Sequence, residues 1–499
     1  YFFGMTLNVE IMEKRFNNNQ ESFLFWSLYY FRYTNSIYLK SLLSPYINFW
    51  PFINHISMAS SSSNSNSNSI STNDSNTMSR GFFRANIKQL PADPLFGLKA
   101  RYAKDLRSNK VDLGIGAYRD DNGKPWILPS VRLAENMLQN SSDYNHEYLP
   151  ISGFPSFTSA AARVILGDDS KAISENKLVS IQSLSGTGAL HVAGLFLKNQ
   201  YKSENESADA SLPTIYLSNP TWANHFQIFN VLGLKTESYP YWNTSTKSLD
   251  LTGLLSTIDS APEGSVFLLH ATAHNPTGLD PNEEQWSKIL DALSKKRHLP
   301  LFDSAYQGFS SGSLAKDAWA VRQAVNNMGS KYQFPGLLIC QSFAKNVGMY
   351  GERVGAVHVV LPSNDEILQN AIQSQLSKII RSEISNPPAY GAKIVSKILN
   401  TPELYKQWEQ DLITMSSRIG KMRQELVNEL NRLETPGTWN HITEQQGMFS
   451  FTGLTPEQVA SLEKDHGVYL VGSGRASIAG LNPGNVAYVA KCIDAVVRG

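Results

Sequence analysis

Short, nearly unbroken apolar runs recur along this chain, and each leads at once into a polar motif bearing glycine, proline or a charge. Thr214-Ile215-Tyr216-Leu217 runs towards Asn219-Pro220-Thr221-Trp222, and Val266-Phe267-Leu268-Leu269-His270 towards His274-Asn275-Pro276-Thr277-Gly278. Leu299-Pro300-Leu301-Phe302 is followed by Asp303-Ser304-Ala305-Tyr306, and Leu337-Leu338-Ile339-Cys340 by Ser342-Phe343-Ala344-Lys345. Apolar runs without alternation suit strands buried on both faces. With helical stretches between them, they predict an α/β fold whose mostly parallel sheet is covered by helices. In open sheets of that kind ligands bind outside the carboxyl ends of the strands. Four polar motifs are therefore expected at one mouth.

At 499 residues the chain has room for two or three domains, each with its own core. Charged residues make up 17% and the formal charge is +1, so no whole-molecule field favours nucleic acid or a membrane surface. Two cysteines, Cys340 and Cys492, are too few for a disulfide scaffold or a cysteine-rich zinc site, and they suit a reducing compartment. Cys340 sits in an apolar run and reads as a small buried thiol. No spacing of His, Asp and Glu reads as a metal site.

The opening ninety residues follow different rules. Phe23-Leu24-Phe25-Trp26-Ser27-Leu28-Tyr29-Tyr30-Phe31 is apolar, but Arg32 ends it short of the ~20 residues a spanning helix needs. Residues 59–77 are almost all Ser and Asn, a composition that cannot offset its chain entropy by burial, so disorder is expected there. Residues 1–57 are expected to be upstream read-through or a dispensable extension, with Met58 and Met78 as alternative starts. A mitochondrial leader beginning at Met78 is the alternative to a cytosolic protein, since Arg80 and Arg84 flank Phe82-Phe83 without acidic residues.

Several residues carry two readings each. Lys345, just after a buried run, is either a snorkelling surface lysine or a desolvated amine able to attack a carbonyl. Asp303 is either a helix N-cap or a carboxylate that pairs with a protonated pyridine nitrogen and makes that ring an electron sink. Tyr306, three residues on, is near enough to reach the same ring. Ser185-Gly186-Thr187-Gly188, ahead of a helical run over 189–198, is a plain turn or a phosphate cup of backbone amides and hydroxyls, with Arg353 as a possible cation beside the phosphate. It lacks the Gly-x-x-x-x-Gly-Lys spacing of a nucleotide P-loop. Trp222 is a core tryptophan or a stacking partner for a flat ring, and His225 a structural histidine or a support for Asp303. Arg381 and Arg475 are solvated charges or ligand clamps.

In order along the chain, these segments resemble the aspartate aminotransferases, class I pyridoxal-phosphate enzymes, and most of all the cytosolic eukaryotic kind found in yeasts. The resemblance covers about residues 88–498. It is carried by Val111-Asp112-Leu113-Gly114-Ile115-Gly116-Ala117-Tyr118-Arg119, Asn145-His146-Glu147-Tyr148-Leu149, Gln182-Ser183-Leu184-Ser185-Gly186-Thr187-Gly188 and Asn219-Pro220-Thr221-Trp222-Ala223-Asn224-His225. Further matches are the segments 274–278, 303–308 and 342–346, Gly351-Glu352-Arg353-Val354-Gly355, Ile380-Arg381, Ser385-Asn386-Pro387-Pro388 and Ser473-Gly474-Arg475.

The resemblance implies a fold-type I transferase that moves the amino group of L-aspartate to 2-oxoglutarate by a ping-pong route. Lys345 would carry pyridoxal 5′-phosphate as a Schiff base and shuttle the proton between the substrate α-carbon and the cofactor. Asp303, backed by His225, would hold the pyridinium proton; Asn275 and Tyr306 would bind the ring oxygen; Trp222 would stack on the ring. Ser185, Gly186, Thr187, Ser342 and Arg353 would hold the phosphate, joined by Tyr148 from the partner subunit. Arg475, with Asn275 and the Gly116 backbone, would take the α-carboxylate, and Arg381 from the partner subunit the distal one. A homodimer with shared sites follows, in the cytoplasm.

The resemblance also implies a large domain over residues 126–410 with a mostly parallel seven-stranded sheet. A smaller α/β domain would combine 93–125 with 411–499, with 1–92 as an extension. A long helix near 402–433 would bridge the domains, Pro402 marking its first turn. Mass spectrometry of the native protein tests the extension: no tryptic peptides are expected from residues 15–50, and their recovery would show that segment to be part of the mature chain.

Overall fold

The computed structural model describes residues 87–91, 93–201 and 212–499. The expectations for the aromatic opening, the Ser/Asn tract and a leader at Met78 lie outside the described residues. The chain divides into two units, Tyr1–Lys88 and Gln89–Gly499, and the helices and strands described belong to the second.

Seven strands form the main sheet: β1 (Leu178–Leu184), β2 (Ile215–Asn219), β3 (Thr236–Pro240), β4 (Val266–His270), β5 (Leu299–Ser304), β6 (Leu337–Ser342) and β7 (Val354–Val360). Their order across the sheet is β1-β7-β6-β5-β4-β2-β3. All run the same way except β7, which is antiparallel to both neighbours, with Val354 opposite Leu184 and Gly355 opposite Ser342. The four strands expected from the apolar runs are present, and the sheet is mostly parallel as anticipated. β5 and β6 run further than their apolar stretches, to Ser304 and Ser342, so Asp303 lies inside a strand.

The alternation of strand side chains explains the two layers around the sheet. In β4, Val266 and Leu268 pack into one core with Leu190 and Phe229, while Phe267 and Leu269 pack into another with Ile289 and Leu293. β1 was less visible in the sequence because polar residues interrupt it. Gln182 is fully buried there, but its side chain accepts from the Phe154 amide at 3.0 Å and donates to the Pro388 carbonyl at 2.8 Å. A buried amide satisfied in this way carries little desolvation cost.

A third core gathers helices Pro129–Gln139, Tyr390–Asn400, Pro402–Arg432 and Val486–Arg498. Pro402–Arg432 is the long helix anticipated, with Pro402 in its first turn. It spans 31 residues, or roughly 46 Å at the α-helical rise. Near one end the Trp408 indole donates to the Asn346 carbonyl at 2.8 Å, next to Lys345. Further along, the buried Arg423 guanidinium donates to the carbonyls of Ile442, Gly447 and Phe449. One rod thus holds both the turn after β6 and the strand Phe449–Phe451. Trp408→Ala should cost about 3–5 kcal/mol through its cavity. Trp408→Phe, which mainly loses the hydrogen bond, should cost about 1–2 kcal/mol. Urea denaturation midpoints measure both.

Candidate active site

The carboxyl ends of β1, β2, β4, β5 and β6 open onto one cavity of about 420 Å³. Because β7 runs the other way, its amino end reaches the same mouth and brings Arg353 with it. Of the residues singled out in the sequence, Gly116, Ser185, Gly186, Thr187, Trp222, Asn275, Asp303, Tyr306, Lys345, Arg353 and Arg475 all line this cavity. His225 and Ser342 stand directly behind it: His225 Nε2 is 3.1 Å from Asp303 Oδ2, and the Ser342 and Ser185 hydroxyls are 2.7 Å apart.

Asp303 is the electrostatic centre of the arrangement. The N-cap alternative fails, because the residue sits in a strand and its side chain meets a histidine ring. Behind it a run of hydrogen bonds has one direction. The Asn275 amide donates to His270 Nδ1 at 3.3 Å. Burial pushes the His270 pKa down to about 3, so the ring is neutral and its remaining proton is on Nε2. Nε2 then donates to the Thr221 hydroxyl at 3.3 Å, and that hydroxyl donates to His225 Nδ1 at 2.8 Å. His225 is left with its Nε2 proton facing Asp303. Burial by itself would raise the Asp303 carboxyl, but the His225 hydrogen bond, with Lys345 nearby, holds it below the ordinary carboxylate value. Its other oxygen, Oδ1, is buried without a hydrogen-bond partner among the described residues. A charged oxygen so placed calls for a donor from within the cavity.

Lys345 is half-buried, with its ammonium 4.6 Å from the centre of the Tyr306 ring. On the other side Ser185 starts the helix Ser185–Gln200, so the Ser-Gly-Thr-Gly segment is the helix's first turn, not a turn ahead of it. The amides of a first turn lack intrahelical acceptors and attract anions. Ser185 and Arg353 hold positive φ values of 59° and 54°. For residues other than glycine that conformation costs roughly 1–2 kcal/mol, and such strain collects where a site requires it. Gly355 permits the approach, since a Cβ there would stand 2.7 Å from Ser185 Cα and 2.6 Å from the Gln341 carbonyl oxygen. The cup, Arg353 and the Ser342 hydroxyl fit a phosphate group. Asp303 Oδ1 fits the protonated nitrogen of a heteroaromatic ring, beside the indole of Trp222.

Arg475 lies on the strand Arg475–Ser477, paired with Phe449–Phe451. Its guanidinium carbon stands 4.3 Å from the Phe449 ring centre, and Nη2 donates to the Gly114 carbonyl at 2.8 Å. Nε has no partner among the described residues and Nη1 has only a 3.5 Å contact to Asn275, so one edge of the fork is open to a carboxylate. Phe449 in turn packs on Gly116, where a Cβ would meet its ring at 2.7 Å.

Tyr148 and Arg381 are not brought to this cavity by their own chain. Tyr148 is 87% exposed, and Arg381 is exposed with Nη1 donating to the Ser385 hydroxyl at 2.6 Å. Thr221, His270 and Phe449 were missed in the sequence. Thr221 lay within a quoted motif, and His270, a polar residue closing an apolar run, was the available signal. Phe449 offered none. Among the described residues no group of three His, Cys, Asp or Glu side chains is placed to hold a metal ion.

A family model described as aminotransferase class I and II matches residues 108–493. The cytoplasmic aspartate aminotransferase of Saccharomyces cerevisiae is 59% identical over 83% of this chain and 96% of its own. That of Schizosaccharomyces pombe is 49% identical over 83% and 98%. Among solved structures, aspartate aminotransferase from the S. cerevisiae cytoplasm superposes with a TM-score of 0.79 at 58% identity, covering 84% of this chain and 98% of that one. An aromatic-amino-acid aminotransferase from Burkholderia pseudomallei, covalently bound to pyridoxal phosphate, superposes at 0.78 with 35% identity, over 83% and 99%.

Asp303→Asn keeps the shape but removes the charge, and kcat should fall at least about 100-fold. Thr221→Val leaves the charge in place and should cost no more than about tenfold. Because the Asp303 carboxyl is held below its unfolded value, its stabilising effect is full above about pH 4 and is lost as the pH falls through the folded value. The acid limb of a pH–kcat profile between pH 5 and 7 should therefore be unchanged in shape in Thr221→Val.

Proposed function

The chain belongs to the class I and II aminotransferases, and from that premise we infer that it transfers the amino group of L-aspartate to 2-oxoglutarate, reversibly and by a ping-pong route, giving oxaloacetate and L-glutamate. The observation that carries this reading is one cavity that holds a buried carboxylate with a free oxygen, a half-buried amine and a guanidinium fork with an open edge. Pyridoxal 5′-phosphate, when bound, supplies a carbonyl that takes up the amino group and a ring that withdraws electrons from the α-carbon. The protein's part is to orient, to keep charges where they are needed and to move one proton.

Asp303, kept ionised by the His225 contact and Lys345, would hold a proton on the ring nitrogen. Tyr306 and Asn275 would bind the ring's oxygen, and Trp222 would stack on the ring. Ser185, Gly186, Thr187, Ser342 and Arg353 would anchor the phosphate. Lys345 is the base that takes the proton from the substrate α-carbon and returns it one position away; its partly buried position beside the Tyr306 ring limits competing water. Arg475 binds the α-carboxylate, with Asn275 and the Gly116 backbone alongside.

The distal carboxylate is assigned to Arg381 of the partner subunit, and Tyr148 of the partner subunit to the phosphate. The exposure of both residues on their own chain supports a homodimer with shared sites. A large domain over 126–410 and a small one from 93–125 with 411–499 would close on a dicarboxylate and exclude water before proton transfer. The cytoplasmic location named for both yeast relatives applies to this chain on the same reading.

Phe96, Trp222 and Phe449 at the cavity wall also admit an aromatic amino acid, which gives a second reading as a broad-range aminotransferase. Aspartate should shift the visible spectrum of the holoenzyme, Lys345→Ala should abolish turnover, and borohydride reduction should fix the cofactor to Lys345. Arg381→Ala should lower kcat/KM for aspartate at least about 50-fold, since it unpairs a buried carboxylate, and for phenylalanine less than about fivefold. Higher wild-type kcat/KM for phenylalanine than for aspartate would favour the second reading.

A further inference from the structure

Five acidic or basic side chains other than histidine line the cavity: Lys99, Asp303, Lys345, Arg353 and Arg475. Four have protein contacts that fit the roles already given. Asp303 meets His225, Lys345 stands over Tyr306, Arg353 donates to the Tyr350 carbonyl, and Arg475 donates to the Gly114 carbonyl. Lys99 is exposed and has no hydrogen bond or ion pair among the described residues. It is a cation that lines an anion-binding site, with no ion-pair partner among the described residues.

Its position is well defined. Lys99 lies on the helix Pro94–Lys104, which starts at the Asp93 cap, where Oδ1 accepts from the Leu95 and Phe96 amides at 2.9 and 3.0 Å. Leu95 and Lys99, four residues apart, share the helix face that lines the cavity. Leu98, buried between them, packs so closely on Gly114 that an added Cβ there would stand 2.3 Å from its Cδ2. Gly114 is the residue whose carbonyl holds Arg475. On its far side the helix is tied by the Arg101–Glu463 ion pair, whose second contact is 3.0 Å. The Lys99 backbone is thus locked to the same loop that positions the α-carboxylate clamp.

We propose that Lys99 is a specificity-determining residue that draws dicarboxylate substrates to the cavity mouth and holds them there, a role distinct from those of Arg475 and of Arg381 of the partner subunit. The proposal rests on the dicarboxylate reading of this site. An exposed ammonium acts over about one Debye length, roughly 10 Å at 0.1 M salt. It favours anions in proportion to their net charge and mainly through capture. 2-Oxoglutarate carries two negative charges and no ammonium, aspartate a net charge of minus one, and phenylalanine none. The effect is therefore graded: largest for the oxo acid, smaller for aspartate and absent for the aromatic.

The test is steady-state kinetics of the holoenzyme with all three substrates, at low and high salt, for wild type and for Lys99→Ala, Lys99→Arg and Lys99→Glu. Lys99→Ala should lower kcat/KM for 2-oxoglutarate about fivefold at low salt, through KM more than kcat, with a smaller loss for aspartate. At about 0.5 M salt the loss should fall below about twofold. Lys99→Arg should restore the wild-type value, and Lys99→Glu should deepen the loss. An equal loss for phenylalanine, a loss that salt does not change, or no loss at all would overturn the proposal. Wild-type holoenzyme that turned over phenylalanine but neither dicarboxylate would instead overturn the reading on which it rests.

Discussion

A carboxylate taken out of water at the end of a central strand is the constraint that organises this molecule. Left alone, Asp303 would pick up a proton, because burial penalises its charged form. What keeps it charged is the 3.1 Å contact to His225 together with the nearby Lys345, while Thr221 and His270 set the tautomer of that histidine. His270 in turn is oriented by the backbone amide of Asn275, which also lines the cavity. Residues from β4, β5 and the two segments after β2 and β4 are thus bound into one polar assembly. Its only unsatisfied carboxylate oxygen among the described residues is Asp303 Oδ1.

Around that charge two backbone positions are held in a strained conformation. Ser185 and Arg353 both adopt left-handed backbone angles, and they stand at the helix start and the strand start that flank the anion cup. β7 carries a glycine where the cup presses against it, and Gly116 is bare where the Phe449 ring lies. Such positions tolerate no added carbon, because the atoms they would meet are backbone or a packed ring. The surrounding layers, with fully buried strands on both faces, are what make those close approaches rigid.

Much of this was legible in the amino-acid order because parallel strands buried on both faces leave long apolar runs and deliver their polar ends to one side. That logic located Asp303, Lys345, Trp222 and Asn275 at one mouth. It was blind to β7, whose reversed direction no local pattern encodes, and to β1, whose buried Gln182 and half-buried Ser180 look like surface residues until their partners at Pro388 and His358 are known. It was also blind to Phe449 and Lys99, which reach the cavity from segments distant in sequence and carry no motif. Tyr148 and Arg381 were recognisable only through resemblance. On one chain they are exposed side chains with no visible relation to the cavity.

The reversal of β7 has a geometric consequence for how this site measures what it holds. Lys345 and Arg353 belong to a single loop that leaves β6 and returns as β7, and both ends of that loop are hydrogen-bonded into the same sheet. The span between the amine and the guanidinium is therefore set by one hairpin, much as calliper jaws share a hinge. Movements elsewhere in the chain can open or shut access to the cavity without altering that gauge.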